Sequence, residues 1–279
     1  IKIYAMISVS KKNIEKFKKE GIYKSKKLNI RSFKVYGDGA LGSRGAVLKS
    51  PYCDDPHNYG ILRTSAKDLK FYAKEIAEMG FQMNTHAIGD STVSVLLNEY
   101  KKVLKDIDDP RWRIEHSQVV DINEFELYND KILPSIQPTH ATSDMYWAYD
   151  RLGSRIKGAY AFKDLLRSSS RVALGTDFPV EKVNPFHTFY SSVERKDLNG
   201  YPENGFQMEN SLSREETLKG MTIWGAYFNF EEHEKGSLEI GKSADFVVLN
   251  QNIMEVEADL IPNTEVIQTY IDGELVYSK

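Results

Sequence analysis

The chain has 279 residues, with 37 Lys and Arg against 40 Asp and Glu and a formal net charge of −3. That balance offers no basic footprint for nucleic acid or an anionic membrane, so the expected partner is a small-molecule substrate. The single cysteine, Cys53, excludes an internal disulfide, no apolar run approaches the ~18 residues of a membrane helix, and with no leader visible the expected location is the cytoplasm.

Strand-like runs alternate with amphipathic helices. The chain starts inside the apolar run Ile1 to Ile7, which suggests that an upstream segment precedes it. A Lys-rich helical stretch, 11–20, leads to the strand 30–36, which contains Lys34 and ends at the turn signal Gly37-Asp38-Gly39. After a long Gly- and Pro-bearing loop, Ser65 and Asp68 stand in capping-box-like spacing before a helix over 66–79 striped by Leu69, Tyr72, Ala73 and Ile76. Gly80 closes it, and the strand 81–85 follows, leading to His86. Asp90 is placed to cap a helix over 91–105. The run 111–115 then leads to His116, 132–137 to His140, and 171–176 to Asp177. Successive polar residues from His86 onward are 30, 24 and 37 residues apart, each about one strand, crossover helix and return. The expected fold class is therefore α/β. Parallel strands joined this way point in one direction, and in a TIM-type barrel of about 250 residues their carboxyl ends form the rim that holds the active site.

On such a rim Lys34, His86, His116 and Asp177 form a candidate metal-binding series. Neutral imidazoles from His86 and His116 suit zinc, and the Asp177 carboxylate can bind the ion or take a proton from its water. Lys34 is the odd member, because an ammonium repels a cation. Either burial lowers its pKa enough for the neutral amine to capture carbon dioxide as a metal-bridging carbamate, or it stays cationic and meets a substrate anion.

Five phrases carry a family likeness: Phe33-Lys34-Val35-Tyr36-Gly37-Asp38-Gly39-Ala40-Leu41-Gly42-Ser43-Arg44, Asn84-Thr85-His86-Ala87-Ile88-Gly89-Asp90, Arg113-Ile114-Glu115-His116-Ser117-Gln118, Gln137-Pro138-Thr139-His140 and Gly175-Thr176-Asp177-Phe178-Pro179-Val180. In these the chain resembles the amidohydrolase superfamily, specifically amidohydrolase family 3, which includes proteins like N-substituted formamide deformylase and exoenzyme regulatory proteins. The resemblance implies a TIM-barrel-type metal-dependent hydrolase, here with strands three to eight over 1–235 and part of a small C-terminal β-sandwich lobe over 236–279. It also implies hydrolysis of an amide, formamide or N-acyl C–N bond by metal-activated water. Lys34 would be the carbamylated bridge, His86 and His116 ligands, Asp177 both ligand and general base, and His140 a substrate-facing group. One or two divalent ions, zinc first, would be the cofactor.

The family's opening strand, which ends in a His-x-His pair, has no counterpart among the six histidines. His57, His187 and His233 read as surface or packing residues. The chain is thus expected to be a C-terminal fragment, inactive alone, with weak or absent metal and with exposed barrel edges that invite homo-oligomer formation. Two other activities stay open, a non-catalytic regulatory protein on the same frame and a deaminase or isomerase of the superfamily. Within the long loop, 38–55 is a candidate substrate cover, and its Arg44 a carboxylate partner or a solvated side chain.

Overall fold

Period-two alternation in the first half of the chain builds a sheet with one apolar and one polar face. The computed structural model describes residues 1–279. Its contacts divide into two units, Ile1–Ile136 with Tyr146–Ser170, and Gln137–Met145 with Arg171–Lys279. The boundary expected at residue 235 falls inside the second.

In the first unit, β1 (Ile3–Ser8), β3 (Leu28–Tyr36), β4 (Gln82–Ala87), β5 (Trp112–His116) and β6 (Ile132–Ile136) pair in that order, all parallel. The two-residue β2 (Tyr23–Lys24) pairs antiparallel with β3. The helices are α1 (Lys11–Glu20), α2 (Ala66–Glu78), α3 (Asp90–Val103), α5 (Ala148–Leu152) and α6 (Phe162–Ser169). Local chemistry explains where they start. The Ser10 hydroxyl accepts from the Asn13 amide and the Ser65 hydroxyl from the Asp68 amide, satisfying N–H groups that a first turn leaves open. Asp90 differs from expectation. Gly89 occupies the cap of α3 with no side-chain bond, while Asp90 opens the helix and turns its Oδ1 to the Lys49 amide at 2.8 Å.

The apolar face of the sheet packs on these helices. Phe33 meets Phe17 of α1 and Phe81 edge-on, with ring centroids 6.2 and 5.3 Å apart. Trp112 meets Tyr100 of α3 at 4.8 Å and donates its indole N–H to the Phe81 carbonyl. The opposite residues of the same strands are polar. The Tyr4 hydroxyl donates to Gln82, Arg113 lies over the Tyr4 ring, and Arg113 Nε is 3.0 Å from Glu115 Oε1 with both side chains buried. Because neighbouring strand positions alternate faces, Gln82, Asn84 and His86 share this polar side, as do Arg113 and Glu115.

The second unit contains α4 (Pro138–Asp144), β7 (Ala173–Leu174), α7 (Pro185–Glu194), α8 (Arg214–Met221) and α9 (Ile223–Phe228). An antiparallel sheet of β8 (Phe246–Leu249), β9 (Val266–Ile271) and β10 (Glu274–Ser278) completes it, with β9 central. Asp272 and Gly273 between β9 and β10 have φ of 53° and 80°, the left-handed pair that a two-residue hairpin turn requires. Phe186, Phe189 and Tyr190 of α7 form the unit's core with Ile253 and Ile261. Two sequence expectations shift here. The strand expected over 171–176 shrinks to two residues, and His140 sits in helix α4 instead of at a strand end. Pro138 explains the latter, because its fixed φ and missing N–H suit a helix's first turn and cannot continue a ladder.

Candidate metal centre

The strand register sets the spacing of the candidate ligands. Lys34 lies beside Asn84, Tyr36 beside His86, and Ala87 beside His116. The imidazole rings of His86 and His116 meet edge-on with centroids 4.5 Å apart. The Lys34 ammonium lies 5.4 Å from the centre of the Tyr36 ring. His116 and Ser117 have φ of 75° and 42°, so the chain turns sharply out of β5 at the histidine.

Burial holds His86 neutral. Its pKa falls to about 4, first through desolvation and then through the Lys34 charge, with a hydrogen bond from the ring to the Gly39 backbone carbonyl opposing. Its Nε2 is buried without a hydrogen-bond partner, and the nearest carboxylate oxygen, Asp38 Oδ1, is 3.6 Å away. A buried nitrogen lone pair with nothing bound to it is costly in a protein interior and is the form an imidazole takes before it ligates an ion. Glu115 is fully enclosed, yet its carboxyl is held below the usual range. Desolvation opposes ionisation, and the neighbouring Arg113 and Lys34 charges together with a Ser135 hydrogen bond outweigh it.

In the second unit, His140 Nε2 is 3.8 Å from Asp177 Oδ2. Burial lowers the His140 pKa, and the Glu181 charge opposes. Glu181 is itself held by the Ser143 hydroxyl at 2.6 Å. Asp177 has φ of 56° and opens a turn in which the Val180 amide donates to its carbonyl. Its side chain is 39% exposed, against 10% for His140, so water reaches the carboxylate.

The remaining histidines keep away from these groups as expected. His57 is exposed, the His233 side chain is 92% exposed, and His187 contacts Asn184 at the start of α7. Arg44 pairs with Asp54 through two bonds of 3.1 and 2.9 Å, and Arg151 joins the same carboxylate.

Two residues were passed over by the sequence reading. Asp38 looks like a turn residue, yet its buried carboxylate accepts the amides of Val47, Ile88 and Gly89 at 2.9, 3.0 and 2.9 Å, tying the long loop to the turn that follows His86. No local signal could reveal partners 9, 50 and 51 positions away. Asn84 is fully buried, and neither atom of its amide has a hydrogen-bond partner. The signal was available: Asn84 is two residues from His86 on a strand, hence on the same face.

Residues 3–277 match the amidohydrolase family. The chain belongs to that family. Among its relatives are Protein LONG AFTER FAR-RED 3 of Arabidopsis thaliana, 32% identical over 92% of this chain and 45% of the relative, and the Bacillus subtilis (strain 168) protein YtcJ, named for an amidohydrolase, 32% identical over 89% of this chain and 47% of the relative. A solved structure of an uncharacterized metal-dependent hydrolase from Pyrococcus horikoshii OT3 superposes with a TM-score of 0.80 at 27% identity, covering 92% of this chain and 52% of that one. The chain therefore spans about half the length of these relatives. The fold is the α/β, TIM-barrel-type frame of metal-dependent hydrolases with an added antiparallel sheet. In the first unit the unpartnered Nε2 of neutral His86 and the adjoining His116 ring are donors that suit a divalent metal, and in the second unit His140 and the accessible Asp177 carboxylate are donors of the same kind.

Proposed function

We propose that the chain supplies part of a metal-dependent amidohydrolase that cleaves a C–N bond in an amide, formamide or N-acyl compound. The observation that carries this reading is the buried, neutral His86 ring, its Nε2 without a partner and His116 at 4.5 Å. His86 and His116 would hold a divalent ion, zinc being the best match to imidazole and carboxylate donors, with Asp177 as carboxylate ligand and Lys34 as a carbamate bridge. Bound there, such an ion polarises a carbonyl and lowers the pKa of water to about 7.

The chain's own residues supply the rest. Asp177, open to solvent, accepts the proton of the attacking water and returns it to the leaving nitrogen. Neutral His140 beside it orients that carboxylate, or donates an N–H to the developing oxyanion. Glu115, kept ionised between Arg113 and Lys34, attracts the Lys34 side chain and so opposes its neutralisation. Carbamylation of Lys34 therefore depends on the ion's own charge to offset that attraction.

Two imidazoles, one lysine and one carboxylate make a shorter donor set than the family's, which adds a His-x-His pair. We therefore place full activity in an assembly that also provides such a pair, with weak metal binding by this chain on its own. The test is hydrolysis of a panel of amides, formamides and N-acyl compounds by zinc- or cobalt-loaded protein, with and without a polypeptide carrying the His-x-His strand. Inertness across the panel at full metal loading would overturn the reading.

A further inference from the structure

A cleft of about 360 Å3 opens where β1 and β3 end and α2 begins, lined by Ser8, Lys34, Tyr36, Arg63, Thr64 and Tyr72, among others. It shares Lys34 with the candidate metal centre, so a molecule reacting at that centre has this cleft beside it. The geometry fixes its walls. The Arg63 amide donates to the Gly37 carbonyl at 2.9 Å, and the Thr64 hydroxyl to the Tyr36 carbonyl at 2.7 Å. The backbone that presents Arg63 is thus tied to the end of the Lys34 strand.

The electrostatics of the cleft favour an anion. Arg63 is close enough to His86 for its charge to act on that ring, yet its guanidinium enters none of the protein's ion pairs or side-chain hydrogen bonds, and the Ser8 and Tyr72 hydroxyls are likewise without protein partners. Asp68 also lines the cleft, but the Ser65 hydroxyl binds its carboxylate at 2.7 Å, and it faces two cationic residues, Lys34 and Arg63. If Lys34 is committed to a metal, Arg63 remains as the cation. Arg44, the arginine the sequence offered for a carboxylate, is already paired with Asp54.

We infer that this cleft binds the carboxylate of the substrate, with Arg63 as the specificity-determining residue, and that the substrate class is accordingly an N-acyl amino acid or similar carboxylate-bearing amide. This rests on the hydrolase reading for its meaning but not for its measurement. A planar guanidinium can grip a carboxylate through two parallel N–H bonds, a geometry lysine cannot reproduce. The hydroxyls of Ser8 and Tyr72 add neutral donors.

The experiment is an NMR titration of isotope-labelled protein with N-acetylglycine and, in parallel, with its uncharged N-methylamide. The acid should shift the resonances of Arg63, Thr64 and Ser8, and bind at least about tenfold more tightly than the amide. Arg63→Gln should weaken acid binding about tenfold, R63K should retain part of it, and neither should change binding of the amide. His86→Ala should leave acid binding intact, because the cleft does not need the metal. Equal affinity for acid and amide, unchanged acid binding in R63Q, or shifts confined to other residues would overturn the proposal. The two readings fail separately. Acid binding at Arg63 without hydrolysis of any substrate would remove the hydrolase and keep the cleft, whereas hydrolysis with identical KM for charged and neutral amides in wild type and R63Q would do the reverse.

Discussion

Removing the Asp38 carboxylate should destabilise the first unit more than any change to an exposed charge. Its side chain is completely buried, and three backbone N–H groups end on it, from Val47, Ile88 and Gly89. In Asp38→Ala those donors lose their acceptor, and each unsatisfied buried donor costs about 1–3 kcal/mol. Partial rescue by water entering the space lowers the total, so about 4 kcal/mol is expected. Asp38→Asn keeps one acceptor oxygen but sets an NH2 group against the same amides, and should lose about 2 kcal/mol, in the range of a single hydrogen bond to a charged group and its replacement. The loss should be local as well. Ile88 and Gly89 follow His86 by two and three residues, and the Val119 amide after β5 donates to the Ile88 carbonyl, so the His86 and His116 backbones should both loosen. Urea unfolding measures the first effect, and amide exchange at 86–89 and 116–119 the second. A D38A protein within 1 kcal/mol of wild type, with unchanged exchange at those positions, would refute the idea that Asp38 holds the loop and the histidine turns together.

Three further outcomes follow from particular contacts. His86 titrates near 6.5 when unfolded and at about 4 when folded, so the unfolded chain binds more protons between those values. Stability should rise with pH across that window, by at most about 3 kcal/mol, and be lost as the pH falls toward 4; His86→Asn should flatten the slope in urea unfolding at pH 4 to 7. Gly89→Ala should be severely destabilising, since a Cβ there would lie 2.1 Å from the Val47 carbonyl oxygen, and a melting temperature within a few degrees of wild type would contradict that packing. Arg44→Ala should leave the urea-unfolding midpoint essentially unchanged, because its pairing with Asp54 is at the surface, and it should leave substrate KM unchanged, in contrast to Arg63→Gln.

Much of the frame is legible in the residues because its signals are local. Ser65 and Asp68 announce α2, Asp272-Gly273 announces the hairpin, and apolar alternation locates the strands that carry Lys34, His86 and His116. Where expectation and structure part, a competing local rule or a distant partner decides. Pro138 turns the chain after β6 into a helix and carries His140 with it. The last strand keeps only Ala173 and Leu174. Asp90 accepts the Lys49 amide in place of capping its own helix. The positions of the candidate ligands are legible, and those of the residues around them much less so. His86 and His116 follow from strand ends, whereas the buried Arg113–Glu115 pair and the orphaned Asn84 amide become meaningful only once their shared sheet face is known. Asp38 is the clearest case. It reads as a turn until long-range folding brings its carboxylate against the Ile88 and Gly89 amides.

The central claim is that His86 and His116 are metal ligands, and calorimetric titration with zinc tests it most directly. Wild-type protein should bind zinc measurably, and His86→Ala and His116→Ala should each weaken binding at least about tenfold, with Asp177→Asn reducing it further. Binding of equal affinity and stoichiometry in wild type, H86A and H116A would contradict the account.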